Sequence, residues 1–399
     1  MVKINDFYVG FNKQWSVFSP GETVSGYVTF DFGDKIFADQ VVAQFYGSAR
    51  IFWTERELKP PHGVQSVAYS QEKVYFDEKR VLWGEENTQS NEKNLEQVLA
   101  QSSSGLRLKN VHIEDDKRPS LQKGQHKMHF EFCVPEFGIP TSYDAKHAAG
   151  YIRYYVKASV MEWGQVKHSR KGFFTVVRSL DLNTIPRALG TATQSAERAV
   201  SKLNVLCMGS ATPGRVSGLL TMQKCGYVPG EQLRISVEVD NQSDRSVKHV
   251  QASLMQHTTC YADQPEYKMK SSSFIVASTG MQQKKIVRRQ AILFEPILYV
   301  PAVVPTFTID CCMEVSYSVK VEVSFDRRES SPIFIVEIPV VIGTVPVGAH
   351  FQSPSLQHRI VSPATPSVAP PSYYENELLL DIRKSISLCT VQAINNPFL

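Results

Sequence analysis

Apolar and polar residues alternate with a period of two along much of this chain. In the run 314–325, apolar residues occupy every odd position and polar residues every even one, so a strand would bury one face and expose the other. The pattern recurs at 152–160, 233–239 and 24–30, the last with Gly26 at an inward position. Gly and Pro clusters separate these runs. The pattern therefore predicts an all-β, antiparallel, sandwich-like protein.

The chain also repeats itself. A Pro-Gly-Glu turn precedes one predicted strand at 20–22 and another at 229–231, and Pro-Gly favours a type II turn because glycine accepts a positive φ. Three further pairs of segments match in the same order: 41–45 with 250–254, Val134-Pro135 with Val300-Pro301, and 154–157 with 317–320. Four matching elements in order predict a duplicated domain.

Changes of composition divide the chain into parts. We predict an N-terminal domain at 1–178, a linker at 179–202, a C-terminal domain at 203–346 and a disordered, Pro-rich tail at 347–399. The linker is rich in Ala and Thr and is compatible with one short helix. Within the first domain, residues 59–127 carry many Gln, Ser, Asn, Glu and Lys, which indicates a loop that is in part mobile.

Charge and cysteine content narrow the class of protein. A net charge of +4 over 399 residues is too weak to indicate a nucleic-acid partner. The seven cysteines include no CxxC pair, so neither a disulfide framework nor a zinc site is predicted. The sequence 1–6 lacks the apolar stretch of a signal peptide, and the apolar run 333–342 is too short to span a bilayer. We therefore expect a cytoplasmic protein.

The tail contains a PPxY motif formed by Pro370, Pro371, Ser372 and Tyr373. Two prolines favour a polyproline II conformation, which fits the aromatic groove of a WW domain, and the tyrosine adds a flat ring with a hydroxyl group. The competing interpretation is a solvated Pro-rich linker. The motif predicts that the tail recruits a WW-domain protein.

Two further tail motifs indicate endocytic partners. Asn396, Pro397 and Phe398 form an NPF sequence, which EH domains bind as a turn that presents the phenylalanine. Glu375, Leu379 and Leu380 fit an acidic dileucine signal. A tail end without function and a short amphipathic helix are the respective alternatives.

The chain carries no recognisable catalytic motif. It has no GxSxG, P-loop or Rossmann glycine pattern, and the DFG at 31–33 lacks the other kinase motifs. His126 and His129 lack a third ligand in sequence reach. We predict no catalytic residue, no metal, no cofactor and no enzymatic activity.

Two basic clusters are candidates for binding anionic lipid headgroups or phosphorylated tails, which would allow peripheral membrane association. The alternative is a solvated loop or strand face. The clusters consist of Lys167, His168, Arg170 and Lys171, and of Lys284, Lys285, Arg288 and Arg289.

Several strings, taken in order, resemble the alpha-arrestins, the arrestin domain-containing proteins. These strings are GSARIFWTE (47–55), LDLNT (180–184), KCGYVPGE (224–231), VIGTVP (341–346) and APPSY (369–373). The resemblance covers about residues 1–346 and the tail motif, and it implies two tandem arrestin-type, immunoglobulin-like β-sandwich domains.

The resemblance also implies a function. Alpha-arrestin lobes engage membrane-protein cargo such as receptors and transporters or its adaptors, and the tail recruits HECT-type ubiquitin ligases through their WW domains, so that cargo is ubiquitinated and then internalised or sorted. The family often carries two PPxY motifs, and the single one here predicts weaker binding. Recruitment to the plasma membrane and endosomes follows as an expectation.

Three other classes compete with this interpretation. A retromer-like or ligase-independent endosomal sorting scaffold shares the two-lobe architecture and needs no PPxY. An extracellular adhesion protein of immunoglobulin type is disfavoured because no signal peptide and no cysteine pairing are legible. An enzyme that carries β-sandwich domains is the remaining, more distant alternative.

Overall fold

Strands account for nearly all of the regular structure. The computed structural model describes residues 4–58, 63–84, 118–145, 149–200, 214–281, 285–310, 312–326 and 331–348. Within them, strands follow one another with only a 3-10 turn and one short helix between them. The predicted all-β class is confirmed.

The first lobe is a sandwich of two sheets. One sheet has the strand order β1-β3-β8, and the other has the order β2-β11-β10-β5-β6 with β9 beside β10. The strands β4 and β7 pair with each other in a separate two-stranded sheet. The strands are β1 (Ile4–Phe11), β2 (Val17–Phe18), β3 (Thr23–Phe32), β4 (Ile36–Phe37), β5 (Gln40–Leu58), β6 (Val64–Gly84), β7 (Ser120–Leu121), β8 (Gly124–Cys133), β9 (Tyr143–Asp144), β10 (Gly150–Glu162) and β11 (Gln165–Val176).

The second lobe repeats this plan. One sheet has the order β12-β13-β15-β18 with β19 also on β15, and the other has the order β14-β22-β21-β16-β17 with β20 on β21. The strands are β12 (Ala192–Val200), β13 (Gly214–Met222), β14 (Gly226–Tyr227), β15 (Gln232–Asn241), β16 (His249–Ala262), β17 (Lys268–Gly280), β18 (Gln290–Phe294), β19 (Ile297–Tyr299), β20 (Phe307–Ile309), β21 (Met313–Ser324) and β22 (Phe334–Ile342).

The duplicated turns adopt the same conformation in both lobes. The glycine has a φ of 80° at Gly21 and 86° at Gly230, as the third position of a type II turn requires. The backbone N–H of each glycine donates to the carbonyl of the matched valine, Val134 (3.0 Å) or Val300 (2.8 Å). The Pro-Gly-Glu turn and the Val-Pro segment therefore contact each other in the same way in each lobe, and the predicted duplication is confirmed.

A buried tyrosine marks the next matched element. The Tyr154 hydroxyl on β10 donates to the carbonyl of Pro140, and the Tyr317 hydroxyl on β21 donates to the carbonyl of Val304, both at 2.7 Å. Each bond satisfies a hydroxyl that the core would otherwise leave without a partner. Burial raises the pKa of Tyr154 above the usual value, so this side chain stays neutral.

The predicted linker at 179–202 contains more structure than we expected. It includes a 3-10 turn at Leu182–Thr184 and a short helix at Pro186–Leu189, and then β12 pairs with β13 along its whole length. Ala192, Ala196 and Val200 pack against the core. Their spacing of four fits both a helix and a strand, which is why the sequence did not distinguish the two. The domain boundaries themselves stay predictions.

The predicted loop at 59–127 is also corrected. Its first part forms β6, a strand of 21 residues that pairs with β5 at the edge of the sheet. Because one face and one edge of β6 are open to solvent, its composition is polar and resembles that of a loop. Residues 59–62 and 85–117 lie outside the described residues.

The connection between the lobes is bonded to the end of the second lobe. Leu180 N–H donates to Thr344 Oγ1 at 2.7 Å, and Asp181 forms a parallel bridge with Val345. Asn183 Oδ1 accepts from Gly348 N–H at 2.9 Å, and its amide nitrogen donates to the Pro346 carbonyl at 3.1 Å. The last described residues of the second lobe are therefore held at the connector.

Candidate functional site

The tail motifs fall outside the described residues. This applies to the PPxY motif, to the dileucine sequence and to the NPF sequence, which comprise Pro370, Pro371, Ser372 and Tyr373; Glu375, Leu379 and Leu380; and Asn396, Pro397 and Phe398. Their binding roles stay predictions. The described residues instead reveal a site that the sequence did not indicate, at the contact between the two lobes.

Two long hairpins meet at this contact. The β5–β6 hairpin of the first lobe lies beside the β16–β17 hairpin of the second. Ser70 N–H donates to the Gln264 carbonyl at 2.9 Å, and Gln264 N–H donates back to the Ser70 carbonyl at 3.3 Å. These two bonds form an isolated antiparallel bridge, so one hairpin is joined to the other through the backbone.

A charged cluster surrounds Lys268 at the start of β17. Its ammonium group lies 2.7 Å from Glu55 Oε2 and also contacts Glu57 Oε1, both on β5. The Tyr69 hydroxyl hydrogen-bonds the same Glu57 carboxylate, and Trp53 Nε1–H donates to Glu55 at 2.9 Å. We call these five residues the Lys268 cluster.

The alternation of β5 explains how the acidic partners converge. Trp53, Glu55 and Glu57 occupy every second position and therefore point to the same side. Tyr69 lies directly opposite Trp53 in the β5–β6 register, with the two rings stacked at 5.4 Å, and the Lys268 ammonium lies 4.5 Å from the Tyr69 ring centre. The N-lobe thus presents an acidic and aromatic surface that fits a cation from the C-lobe.

The cluster shifts the pKa values of its members. Hydrogen bonds that Lys268 donates to Glu55 and then to Glu57 raise the pKa of Lys268 above its usual value, and the hydrogen bond with Lys268 lowers the pKa of Glu55. The bond to Glu57 raises the pKa of Tyr69. Each shift favours the ionisation state that holds the hairpins together at neutral pH.

A second contact between the lobes is polar and buried. The Tyr143 hydroxyl on β9 lies 2.8 Å from Thr258 Oγ1, and it accepts a bond from Gln256 Nε2 at 3.1 Å. The Tyr143 ring packs edge-on against Phe307 at 5.7 Å. Burial is the main cause of the raised pKa of Tyr143. The lobes therefore meet through specific hydrogen bonds as well as the ionic cluster.

Large apolar side chains are exposed along both hairpins. Phe52, Leu58 and Val64 on the first hairpin, and Tyr267 and Met269 on the second, are each between 54% and 72% exposed. Aromatic residues and methionine are enriched where proteins bind each other. Each hairpin therefore offers apolar side chains to a partner, in addition to the residues that join the two lobes.

The structure separates the predicted basic cluster on β11. Lys167 forms an ion pair with Glu162 at 3.3 Å, and Arg170 Nε–H donates to the Phe7 carbonyl on β1 at 3.1 Å. Lys171 lies on the opposite face from Arg170, with its ammonium 3.9 Å from the Tyr155 ring centre. These residues therefore do not form one basic surface. In the other cluster, Lys284 lies outside the described residues.

No metal site is evident in the part of the chain that the structure describes. No group of three or more His, Cys, Asp or Glu side chains there is arranged to hold an ion. His126 and His129 lie on β8, where the His126 ring contacts the Gln122 carbonyl at 2.8 Å. In the same described residues, no helix has the length and apolar character needed to cross a membrane.

Sequence reasoning missed the Lys268 cluster completely. Lys268 and Glu57 are 211 residues apart, so no local pattern connects them. A partial indication was available, because Trp53, Glu55 and Glu57 continue the alternation of a strand beyond the segment 41–45. β5 continues beyond Ile51, where its pairing with β10 ends, and pairs there with β6 as far as Leu58.

Family models match both lobes. The model described as the N-terminal domain of arrestin (or S-antigen) matches residues 7–183, and the model described as its C-terminal domain matches residues 212–347. The two ranges cover most of the chain and follow the order of the two sandwiches.

Curated proteins of similar sequence carry matching names. "Arrestin domain-containing protein 17" of Caenorhabditis elegans is 25% identical over 87% of this chain and 72% of its own length. "Arrestin domain-containing protein 4" of Mus musculus is 27% identical over 89% of this chain and 78% of its own length. The protein of the same name from Homo sapiens is 31% identical over 57% of this chain and 50% of its own length.

Proposed function

Because this chain belongs to the arrestin family, among the arrestin domain-containing proteins or alpha-arrestins, we propose that it is a cytoplasmic adaptor that links membrane-protein cargo to HECT-type ubiquitin ligases. Arrestin family proteins are adaptors rather than enzymes, and the proposal includes no catalytic step by this chain. The ligase ubiquitinates the cargo, which is then internalised or sorted. The adaptor is recruited to the plasma membrane and endosomes while it acts.

The PPxY motif carries the proposal for the ligase. Pro370, Pro371 and Tyr373 supply the polyproline II turn and the aromatic ring that a WW groove binds. A single motif binds a single WW domain with an affinity on the order of micromolar. The adaptor then acts by raising the local concentration of ligase beside cargo rather than by binding the ligase tightly.

The contact between the lobes supports a role in cargo binding. The Lys268 cluster holds two hairpins side by side, the Tyr143 contact joins β9 of the first lobe to β16 of the second, and both hairpins expose aromatic and aliphatic side chains. We assign cargo binding to this two-lobe surface. Because both hairpins contribute to this surface, a cargo segment that contacts both hairpins binds with higher affinity than one that contacts a single hairpin.

The other tail motifs add endocytic contacts to the proposal. Asn396, Pro397 and Phe398 would bind an EH domain, and Glu375, Leu379 and Leu380 would bind a clathrin adaptor as a dileucine signal. Both contacts place the complex in the same trafficking route as the ligase. Neither is needed for ubiquitination itself.

The decisive experiment measures the full chain against a WW-domain HECT ligase. We expect the chain to co-precipitate the ligase, and we expect Tyr373→Ala to abolish this without unfolding the lobes, because the motif lies beyond both sandwiches. A peptide spanning residues 368–380 should bind isolated WW domains with tyrosine-dependent, micromolar affinity. Ser372→Ala is the matched control, since the x position of PPxY accepts any residue.

Two outcomes would count against the proposal. If Tyr373→Ala co-precipitates the ligase as well as the unmodified chain does, the PPxY motif is not the ligase contact. If neither the chain nor the peptide binds any WW domain, the function moves to a ligase-independent sorting scaffold of the retromer type.

A further inference from the structure

A row of cations crosses the outer face of the N-lobe sheet. Lys171 on β11 lies directly opposite Lys157 on β10, Lys157 lies opposite Gln44 on β5, and Gln44 lies opposite Lys79 on β6. The neighbouring residues of β10 are buried, so Lys157 points away from the core. These lysines therefore line a row perpendicular to the strands.

The pair formed by Lys157 and Lys171 is not neutralised. Like charges placed directly opposite on neighbouring strands are destabilising. Among the described residues, no carboxylate forms an ion pair with either lysine, whereas Arg153 nearby is paired with Asp144 at 2.9 Å. Burial, together with the positive charges of Lys157 and Arg153, lowers the pKa of Lys171. An anionic group bound beside the two lysines would relieve the repulsion between them.

An aromatic row runs beside the lysine row. Phe173, Tyr155 and Tyr46 lie in register across β11, β10 and β5, with ring centres 5.7 Å apart between the first two and 5.1 Å apart between the last two. The Lys171 ammonium sits 3.9 Å from the Tyr155 ring centre, so the two rows touch. Together they form a surface that is cationic along one side and apolar along the other.

The spacing of the rows defines what fits them. The lysine row and the aromatic row are two residues apart along each strand, which is about 6.8 Å. In an extended peptide, residues i and i+2 point to the same side at the same spacing. We propose that this face, which we call the lysine–aromatic face, binds an extended partner segment in which an Asp or Glu is followed two positions later by an apolar residue, or preceded by it.

The surroundings favour a narrow peptide over a membrane. The aromatic row ends at Asp77 on β6, and the Tyr46 hydroxyl donates to Glu72 at 2.9 Å on the same side of the sheet. A planar anionic bilayer that reached Lys171 would also approach these carboxylates and be repelled by them. An extended segment placed over β10 and β11 contacts the lysine pair, whereas the Asp77 carboxylate lies on the β5 side of the face, where Gln44 Nε2–H donates to it at 2.6 Å.

This inference goes beyond the two-lobe surface of the proposed function, because it assigns a further cargo segment to the lysine–aromatic face. The identification of the segment as cargo rests on that function, whereas the binding itself does not. The test below includes no ligase. A full chain carrying Tyr373→Ala should bind the segment unchanged, so failure of the WW contact and failure of this face are separate results.

The test titrates fluorescent peptides into the full-length chain and follows their polarisation. The probe is a serine-rich peptide with one glutamate and one phenylalanine separated by a single serine. One comparison peptide places the two residues next to each other, and a second replaces the glutamate by lysine. We expect Lys157→Gln and Lys171→Gln each to weaken binding of the probe about tenfold, as expected for loss of a charged hydrogen bond.

Matched variants separate this face from general charge. Lys167→Gln removes the same charge from the same strand, but Lys167 is already paired with Glu162, and binding should change less than twofold or so. Tyr155→Ser should weaken binding of the probe but not of a peptide that lacks the phenylalanine. Thermal unfolding of each variant shows whether the lobe remains folded.

Several results would overturn the inference. They are no measurable binding of the probe, equal binding of the adjacent-residue peptide, an equal effect of Lys167→Gln and Lys157→Gln, or binding that is confined to a phosphoserine peptide or to phosphatidylserine vesicles. Binding confined to the phosphoserine peptide would assign the lysines to a phosphate ligand, and binding confined to the vesicles would assign them to a membrane.

Discussion

Lys157 and Lys320 occupy matched positions in the two copies of the domain, on β10 and β21, and point outward from equivalent sheets. Lys157 lies opposite another lysine, Lys171. Lys320 instead lies opposite Glu337 across β22, and its ammonium is 2.8 Å from Glu322 on its own strand. The same backbone framework therefore carries a charge that is satisfied in the second lobe and one that is not in the first.

The residue two positions earlier follows the same contrast. Tyr155 in the first lobe is part of the half-buried aromatic row. Its counterpart Ser318 lies within a chain of hydrogen bonds: the His257 ring contacts Ser318 Oγ and Ser273 Oγ, each at 2.7 Å, and Ser318 donates to Glu337 at 2.5 Å. These polar side chains on the outer face of the second lobe are therefore hydrogen-bonded to one another. The lysine–aromatic face of the first lobe remains available to a binding partner.

Inside the lobes the contrast is one of packing. Phe45 and Leu254 are matched core positions, but Phe45 stacks on Phe76 at 4.2 Å and on Phe132 at 5.0 Å, whereas Leu254 lies between Ala277 on β17 and Val319 on β21 in the strand register. Duplication preserved the turns and the strand order. The side chains at equivalent positions differ between the two lobes, both on the outer faces and in the cores.

The core comparison gives the largest expected effect. Phe45→Ala should lower the free energy of unfolding by about 3–5 kcal/mol and Leu254→Ala by about 2–4 kcal/mol, because the aromatic stack adds to the cavity cost. Urea unfolding followed by fluorescence measures both. A larger loss of unfolding free energy for Leu254→Ala than for Phe45→Ala would show that the core of the second lobe contributes more to stability.

The buried tyrosines give the next effect. Tyr154→Phe should cost about 1–2 kcal/mol, because it leaves the buried Pro140 carbonyl without its donor, and Tyr317→Phe should cost less, because its bond is partly exposed. Tyr155→Phe is the control, with a change near zero. Equal losses at all three positions would show that the hydroxyl bonds do not matter.

The Lys268 cluster predicts a dependence on pH. The pKa of Glu55 lies below its usual value of 4.5 in the folded protein, so its stabilising contribution is complete above that pH and is lost as the pH falls through the lowered pKa. The protection factors of the β5–β6 hairpin amides, which correct hydrogen exchange for its intrinsic dependence on pH, should therefore fall on acidification. Lys268→Gln should remove this acid-dependent loss of protection, and Lys270→Gln, which removes a weaker charge effect on Glu55 than the bond to Lys268, should retain most of it. An unchanged pH profile in Lys268→Gln would contradict the assignment.

The outward lysines give the smallest effect, and its sign differs between the lobes. Lys320→Gln should destabilise the protein by about 0.2–0.5 kcal/mol through loss of its partners Glu322 and Glu337. Lys157→Gln should stabilise it by a similar amount, because it removes repulsion from Lys171. Differential scanning calorimetry of both variants decides the matter. Destabilisation by both would remove the contrast on which the lysine–aromatic face rests.

Much of the fold could be predicted because its causes are local. The alternation in β21 and the Pro-Gly turns at Gly21 and Gly230 fix strand faces and connections from neighbouring residues alone. The strand β6 was missed because edge strands are polar on more than one side. The strand β12 was missed because Ala192, Ala196 and Val200 are spaced by four, which two periods share.

The candidate site could not be predicted in the same way, because its causes are distant in sequence. The ion pair between Lys268 and Glu57 depends on how two sandwiches are placed, and the register of β10 against β11 decides which residue faces Lys157. Composition identified the basic residues of β11 as a cluster. Only the strand faces show that Arg170 and Lys171 point in opposite directions.

The bonds between the connector and the end of the second lobe have a mechanical consequence. Chain beyond Gly348 leaves from a point that Asn183 holds, next to the bridge between Asp181 and Val345. A partner that pulls on the tail therefore loads these bonds before it loads β22. The force enters the molecule at the joint common to both sandwiches, so tension from a tethered partner is shared between them rather than peeling a strand from one.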